Sequence, residues 1–162
     1  MVEISQQTAS DDAAIETLMG AAFGQARYSR SVWLLRSGPP ITDLCLVLRE
    51  SGTMLASLRF WEVQLEKQAV LLLGPLAVQP DLRGQGYGQQ IVKDGLARAK
   101  AMDKWPLVLV SGEPEYYPKF GFDWEDPHNY QSTQNSIMKT RDELSNAYNL
   151  FKLDPIRMKM FN

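Results

Sequence analysis

A mixed α/β sheet flanked by helices is the fold that three observations predict. Apolar residues with helical spacing come first, at Ile15, Leu18, Met19, Ala22 and Phe23. Strand-like stretches joined by short polar turns follow between Leu44 and Val78. A glycine loop, one helical face and a further short strand come next, reaching Val110. Helix, strand meander and strand-helix-strand in that order indicate helices packed on a single sheet. A chain of 162 residues, 44% hydrophobic and 22% charged, suits one domain, residues 1–162, with a sizeable core.

Each element has its own signal. Val2 to Gln6 alternates and predicts a first strand. Ser10-Asp11-Asp12 is a helix start, because short side-chain oxygens accept from first-turn amides. Gly24 is expected to stop that helix. A second short helix is predicted from Ser29 to Arg36, before the breaker Ser37-Gly38-Pro39-Pro40. Leu44 to Arg49 reads as a strand, Ser51-Gly52 as a hairpin turn, and Thr53 to Leu65 as the next strand. Glu66-Lys67-Gln68 is a polar turn, and Ala69 to Val78 is a long apolar run interrupted by Gly74-Pro75. Proline cannot donate to a ladder, so it marks an edge or a bulge. The backbone near Leu76, Ala77 and Val78 should then have groups free to pair with something other than a strand. Ile91, Val92, Gly95, Leu96, Ala99 and Met102 trace one helical face. Pro106 to Val110 is a short strand, and Tyr116 to Phe120 a short helix with Pro118 in its first turn. Further on, Ile137 to Thr140 reads as a strand and Asp142 to Phe151 as a helix.

Composition narrows the function. A net charge of -2 argues against nucleic acid and against a membrane surface as partners. The single cysteine, Cys45, lies in the apolar run Leu44 to Leu48 and reads as a core thiol. With one histidine, His128, the chain lacks a usual zinc set, so no metal is expected. No stretch approaches the about 18 apolar residues of a membrane span, and Met1 to Ser5 carries no targeting pattern. A cytoplasmic location is the expectation.

The chemistry concentrates in Leu82-Arg83-Gly84-Gln85-Gly86-Tyr87-Gly88-Gln89-Gln90-Ile91-Val92. Three alternate glycines at the mouth of a helix need a reason, because glycine there is entropically costly. Either the turn needs positive φ, or something comes close to the backbone. A helix start offers unpaired N–H groups and a positive dipole end, and bare glycines let a phosphate reach them. Arg83 adds a charge that can fork onto phosphate oxygens. The loop lacks the Gly-Lys-Ser/Thr of a Walker loop. Its G-x-G-x-G spacing also departs from the dinucleotide fingerprint G-x-G-x-x-G.

Arg83-Gly84-Gln85-Gly86-Tyr87-Gly88 resembles the acyl-CoA signature Q/R-x-x-G-x-G/A of the GNAT N-acetyltransferases. Leu71 to Val78 looks like that family's fourth strand, Gln90 to Met102 like its following helix, and Tyr117-Pro118-Lys119-Phe120-Gly121-Phe122 like its later Tyr-x-x-x-Gly-Phe element. The Gly-Pro-Leu-Ala-Val strand and the Tyr-Tyr-Pro-x-Phe-Gly-Phe segment are most similar to the small bacterial YhbS-like branch. The resemblance implies a mostly antiparallel sheet, splayed at the strand before the glycine loop. It implies that acetyl-CoA is the acyl donor, held by the backbone of Leu76, Ala77 and Val78. The loop from Arg83 through Gly84, Gln85, Gly86 and Tyr87 to Gly88 would grip its diphosphate. It also implies that an amide near Ala77 or Val78 stabilises the oxyanion, and that Tyr117 gives a proton to the leaving thiolate, with Tyr116 as its adjacent rival.

The activity so implied is direct transfer of an acetyl group to a primary amine in a ternary complex. The acceptor, a small molecule or a peptide, stays open, with Arg27, Tyr28, Arg30 and Trp33 on the expected acceptor side. Ala69 to Val78 contains no carboxylate, so a base would have to come from Glu62, Glu113 or Glu115, or the amine arrives neutral. That gap keeps a non-catalytic acyl-CoA sensor as the alternative, and a nucleotide-dependent oxidoreductase as a third reading. Oligomeric state is open too. An exposed tail such as Ile156 to Phe161 could pair with a second copy in a homodimer.

Overall fold

Alternation of apolar and polar residues, a capped helix start and a two-residue turn set the first half of the chain. The computed structural model describes residues 1–24, 36, 38–65, 68–111, 116–122 and 156–161. Strand β1, Val2–Gln6, leads into helix α1, Asp12–Phe23. The Thr8 backbone N–H donates to Asp11 Oδ2 at 2.8 Å, and Asp11 is ion-paired with Arg49 across the sheet. Gly24 closes α1 with φ 67°, as the sequence predicts. Strands β2, Leu46–Glu50, and β3, Thr53–Leu65, form a hairpin around Ser51 and Gly52. Positive φ at both turn residues, 50° and 80°, matches the right-handed twist of the strands. Strand β4 is Gln68–Val78, helix α2 is Tyr87–Met102, and strands β5 and β6 are Leu107–Ser111 and Ile156–Met160.

The six strands lie side by side in chain order. Every neighbouring pair is antiparallel except β4 and β5, which α2 joins in parallel. A parallel pair needs such a crossover. Alternate residues send the two helices to opposite faces. Leu46 and Leu48 pack with Leu58, Phe60 and the α2 residues Ile91, Val92 and Leu96. Val47 between them packs with Ile15, Leu18 and Met19 of α1 and with Ala77. Gly95 lets α2 sit close, because a Cβ there would stand 2.8 Å from the Phe60 ring.

Several boundaries differ from the sequence reading: β5 runs from Leu107 to Ser111 rather than from Pro106 to Val110, and the aromatic turn starts at Tyr117. Residues Thr42–Leu44 form a 3-10 turn, closed by Cys45 N–H donating to the Thr42 carbonyl, so β2 starts at Leu46. Gln68 belongs to β4, opposite Leu65, rather than to the turn. Ile156–Met160 pairs with β5 of its own chain, from Ser111↔Ile156 to Leu107↔Met160, and becomes the last strand of the sheet. The predicted helix at Ser29 to Arg36 lies outside the described residues except for Arg36, and so do the elements at Ile137 to Thr140 and Asp142 to Phe151.

Candidate active site

The site begins where β4 parts from β5. Their register runs from Leu71↔Val108 to Leu73↔Val110 and goes no further among the described residues. The next two residues are Gly74, with φ 125°, and Pro75, which has no N–H to give. Beyond them β4 stays paired with β3, through Leu58↔Leu76, Ser57↔Ala77 and Ala56↔Val78, after a register shift between Leu58 and Phe60. The Gln79 N–H donates to the Leu55 carbonyl at 2.9 Å and so fixes the phase of this ladder. Antiparallel pairs alternate between bonded and non-bonded. With Gln79 and Leu55 bonded, Ala77 turns its N–H and C=O to Ser57. Leu76 and Val78 turn theirs to the side that β5 has left. Both are partly exposed, whereas Ala77 is buried.

Below this open edge lies the glycine loop. Gly84 and Gly86 hold φ of 83° and 90°, a region that disfavours any Cβ. Gly86 caps α2 without a side chain, and the first intrahelical bond is Gln90 N–H to the Gly86 carbonyl at 3.0 Å. The amides of Tyr87, Gly88 and Gln89 precede that bond, and no acidic residue sits in the first turn. The Gln85 N–H is turned inward to the Leu82 carbonyl at 3.4 Å. Arg83 is exposed, and its Nη2 donates to the Ala22 carbonyl in the last turn of α1 at 3.0 Å.

The aromatic turn supplies the third wall. Tyr117–Phe120 is a 3-10 turn ended by Gly121 at φ 86°. Tyr117 and Phe122 are buried in the core, with ring centroids 5.8 Å apart. Tyr116 is only half-buried, and its hydroxyl reaches the first turn of α2, beside Gly88 and the Val78 side chain. Burial pushes the Tyr116 phenol above its ordinary pKa.

Of the remaining candidates, Glu62 does not face the open edge. It accepts a 2.8 Å hydrogen bond from Trp105 Nε1 and stands opposite Leu71 in the ladder. Cys45 is buried, donates to the Ile41 carbonyl at 3.2 Å, and has its thiol pushed up by burial, as a core residue should. Glu113, Glu115, His128, Arg27, Tyr28, Arg30 and Trp33 lie outside the described residues. Among the described residues no cluster of three His, Cys, Asp or Glu could hold a metal, and no helix is long and apolar enough to cross a membrane. Sequence reasoning missed Arg36, whose guanidinium lies against Gly74: a Cβ there would come within 2.9 Å of it. A contact so distant along the chain leaves no spacing to read.

Residues 42–123 match the acetyltransferase (GNAT) domain family. The uncharacterized N-acetyltransferase YjhQ of Escherichia coli (strain K12) is 29% identical over 120 residues, which span 71% of this chain and 64% of that protein. The uncharacterized N-acetyltransferase YhbS of the same strain is 27% identical over 120 residues, 73% of this chain and 71% of its own. A GNAT family acetyltransferase from Brucella melitensis, crystallised with acetyl-CoA, superposes with a TM-score of 0.65 at 28% identity, covering 76% of this chain and 83% of that one. Escherichia coli YhbS in complex with CoA shares the fold with a TM-score of 0.71 at 21% identity, over 99% and 82% of the two chains.

Proposed function

Because the chain belongs to the GNAT acetyltransferase family, we propose that it transfers the acetyl group of acetyl-CoA to a primary amine by direct attack in a ternary complex. The observation that carries this reading is the open edge of β4 at Leu76 and Val78, which runs down to an uncapped helix start. The residues fit the donor. Main-chain groups on an edge without a partner strand can pair with the amides of a pantetheine arm, much as an added strand would. Free first-turn amides with no competing carboxylate suit a diphosphate.

Each group then has a task. The Val78 N–H, of the two amides expected near the oxyanion, is the one directed to the open edge, and it stabilises charge growing on the acyl oxygen. The amine nitrogen bonds to the acyl carbon as the carbon-sulfur bond breaks. Tyr117 gives its phenolic proton to the departing sulfur, the amine loses a proton to solvent, and the phenolate takes one back from solvent. No carboxylate of β4 serves as base, and Glu62 is held by Trp105. Glu113 and Glu115 lie outside the described residues, and the amine is taken to arrive neutral. The proposal sets the reaction in the cytoplasm, and a homodimer could form through the outer edge of β6, the last strand of the sheet.

The lack of a carboxylate on β4 also favours a second reading, an acyl-CoA sensor that binds and does not transfer. One assay separates the two: release of free thiol from acetyl-CoA across a panel of small amines and peptides. Thiol release that depends on an amine supports the transferase. CoA binding with no release on any amine supports the sensor. Tyr117→Phe should lower kcat by about 100-fold, with CoA affinity within about twofold of the parent; full turnover would remove Tyr117 from the mechanism.

A further inference from the structure

The three loop glycines answer different needs. Gly84 and Gly86 have left-handed backbones, and nothing lies within 4 Å of a Cβ built on either. Gly88 is the reverse. It sits in the first turn of α2 without a positive φ, yet a Cβ there would stand 2.6 Å from the Tyr116 hydroxyl and 3.3 Å from Val78 Cγ2. Gly88 is a notch, and the group that fills it comes from the other wall of the cleft.

Tyr116 is braced from behind. Tyr117 stands edge-on to it at 5.1 Å and Phe120 at 5.4 Å, while Lys119 Nζ lies 4.2 Å above its ring. None of these contacts occupies the hydroxyl, which no described residue hydrogen-bonds. The hydroxyl stands where the last residue of β4 meets the helix start. A donor held by the loop below and by Leu76 and Val78 above must pass that corner. A tyrosine phenol is neutral near pH 7 at its ordinary pKa, and burial pushes it further up, so it has a proton to share.

We propose that Tyr116 is a donor-binding residue, whose hydroxyl, seated in the Gly88 notch, donates a hydrogen bond to acetyl-CoA where the diphosphate gives way to the pantetheine arm. This rests on the acetyl-CoA reading of the cleft. It divides the tyrosine pair: Tyr116 holds the donor, and Tyr117 serves the sulfur.

Calorimetric titration of the full chain with CoA tests this in four proteins. The parent binds. Tyr116→Phe binds about tenfold more weakly, the worth of one hydrogen bond to a charged or strongly polar group. Gly88→Ala loses more, because its methyl evicts the phenol. The double variant recovers most of the way to Tyr116→Phe, since the ring carbon Cζ, 3.7 Å from the new methyl, is an ordinary contact and only Val78 Cγ2 at 3.3 Å must still give. Thermal melts of the same proteins should show the same relief. Parent-like affinity in Tyr116→Phe, or losses that multiply in the double variant, would overturn the proposal. If Gly88→Ala does not fold, Tyr116→Phe and the double variant still decide. A parent that gives no heat with CoA overturns the acetyl-CoA reading itself, a separate failure.

Discussion

The two long helices begin in opposite ways. α1 starts among its own acids: Asp11 accepts from the Thr8 amide and pairs with Arg49, and Asp12 accepts from Gln7 Nε2 at 2.8 Å. Asp12 in its first turn sets a negative charge against the positive end, although Asp11 caps no first-turn amide through its side chain. α2 starts at Gly86 with no side-chain cap and no acid in its first turn. Both ends carry the same orphan amides. The difference marks one helix as structural and leaves the other with donors to give to a ligand. What distinguishes a binding site here is less what is present than what the sequence withholds.

Making α2 resemble α1 should have the largest effect. Gly86→Asp puts a carboxylate at the cap, in a left-handed conformation that Asp tolerates better than most residues. The fold should survive, and CoA affinity should fall by about 100-fold or more, roughly 2.7 kcal/mol; an unchanged titration would erase the contrast. Making α1 resemble α2 comes next. Asp11→Ala removes the acceptor of the Thr8 amide and the ion-pair partner of Arg49, and should cost about 2 kcal/mol in denaturant unfolding, with CoA affinity kept. Equal losses of stability and affinity would show that the two ends are not separable. The smallest effect belongs to the residue that joins them. Arg83 lies in the loop of α2 yet bonds the last turn of α1 through the Ala22 carbonyl. Arg83→Ala should weaken CoA by about tenfold, roughly 1.4 kcal/mol. Being exposed, it should move stability by less than about 0.5 kcal/mol. A larger loss of stability than of affinity would make it a brace first and a phosphate ligand second.

Local signals made much of this legible in the sequence. The hairpin at Ser51-Gly52, the strand interrupted by Gly74-Pro75 and the glycine loop are each written in consecutive residues, so backbone preference alone points to them. The start of β2 was less clear, because an apolar Leu44 suits a strand and a buried 3-10 turn equally well. What spacing could not reveal is who meets whom. Glu62 looked available for catalysis until Trp105, 43 positions later, was seen to hold it. Arg83 meets Ala22 across 61 positions. The Gly88 notch could be read as a phosphate feature because the hydroxyl that fills it belongs to a distant turn. Of the tyrosine pair, the family pattern singles out Tyr117, and only three-dimensional packing gives Tyr116 a place of its own.

The single bond from Gln79 to Leu55 carries more weight than its place in a loop suggests. Because it locks the parity of the final β4 residues, deleting Val78 would move Ala77 to the outward position and turn Leu76 inward. Such a protein would retain a sheet of the same strands and the same glycines. It would present Ala77 where Val78 belongs, a lock of the right shape with its pins reversed.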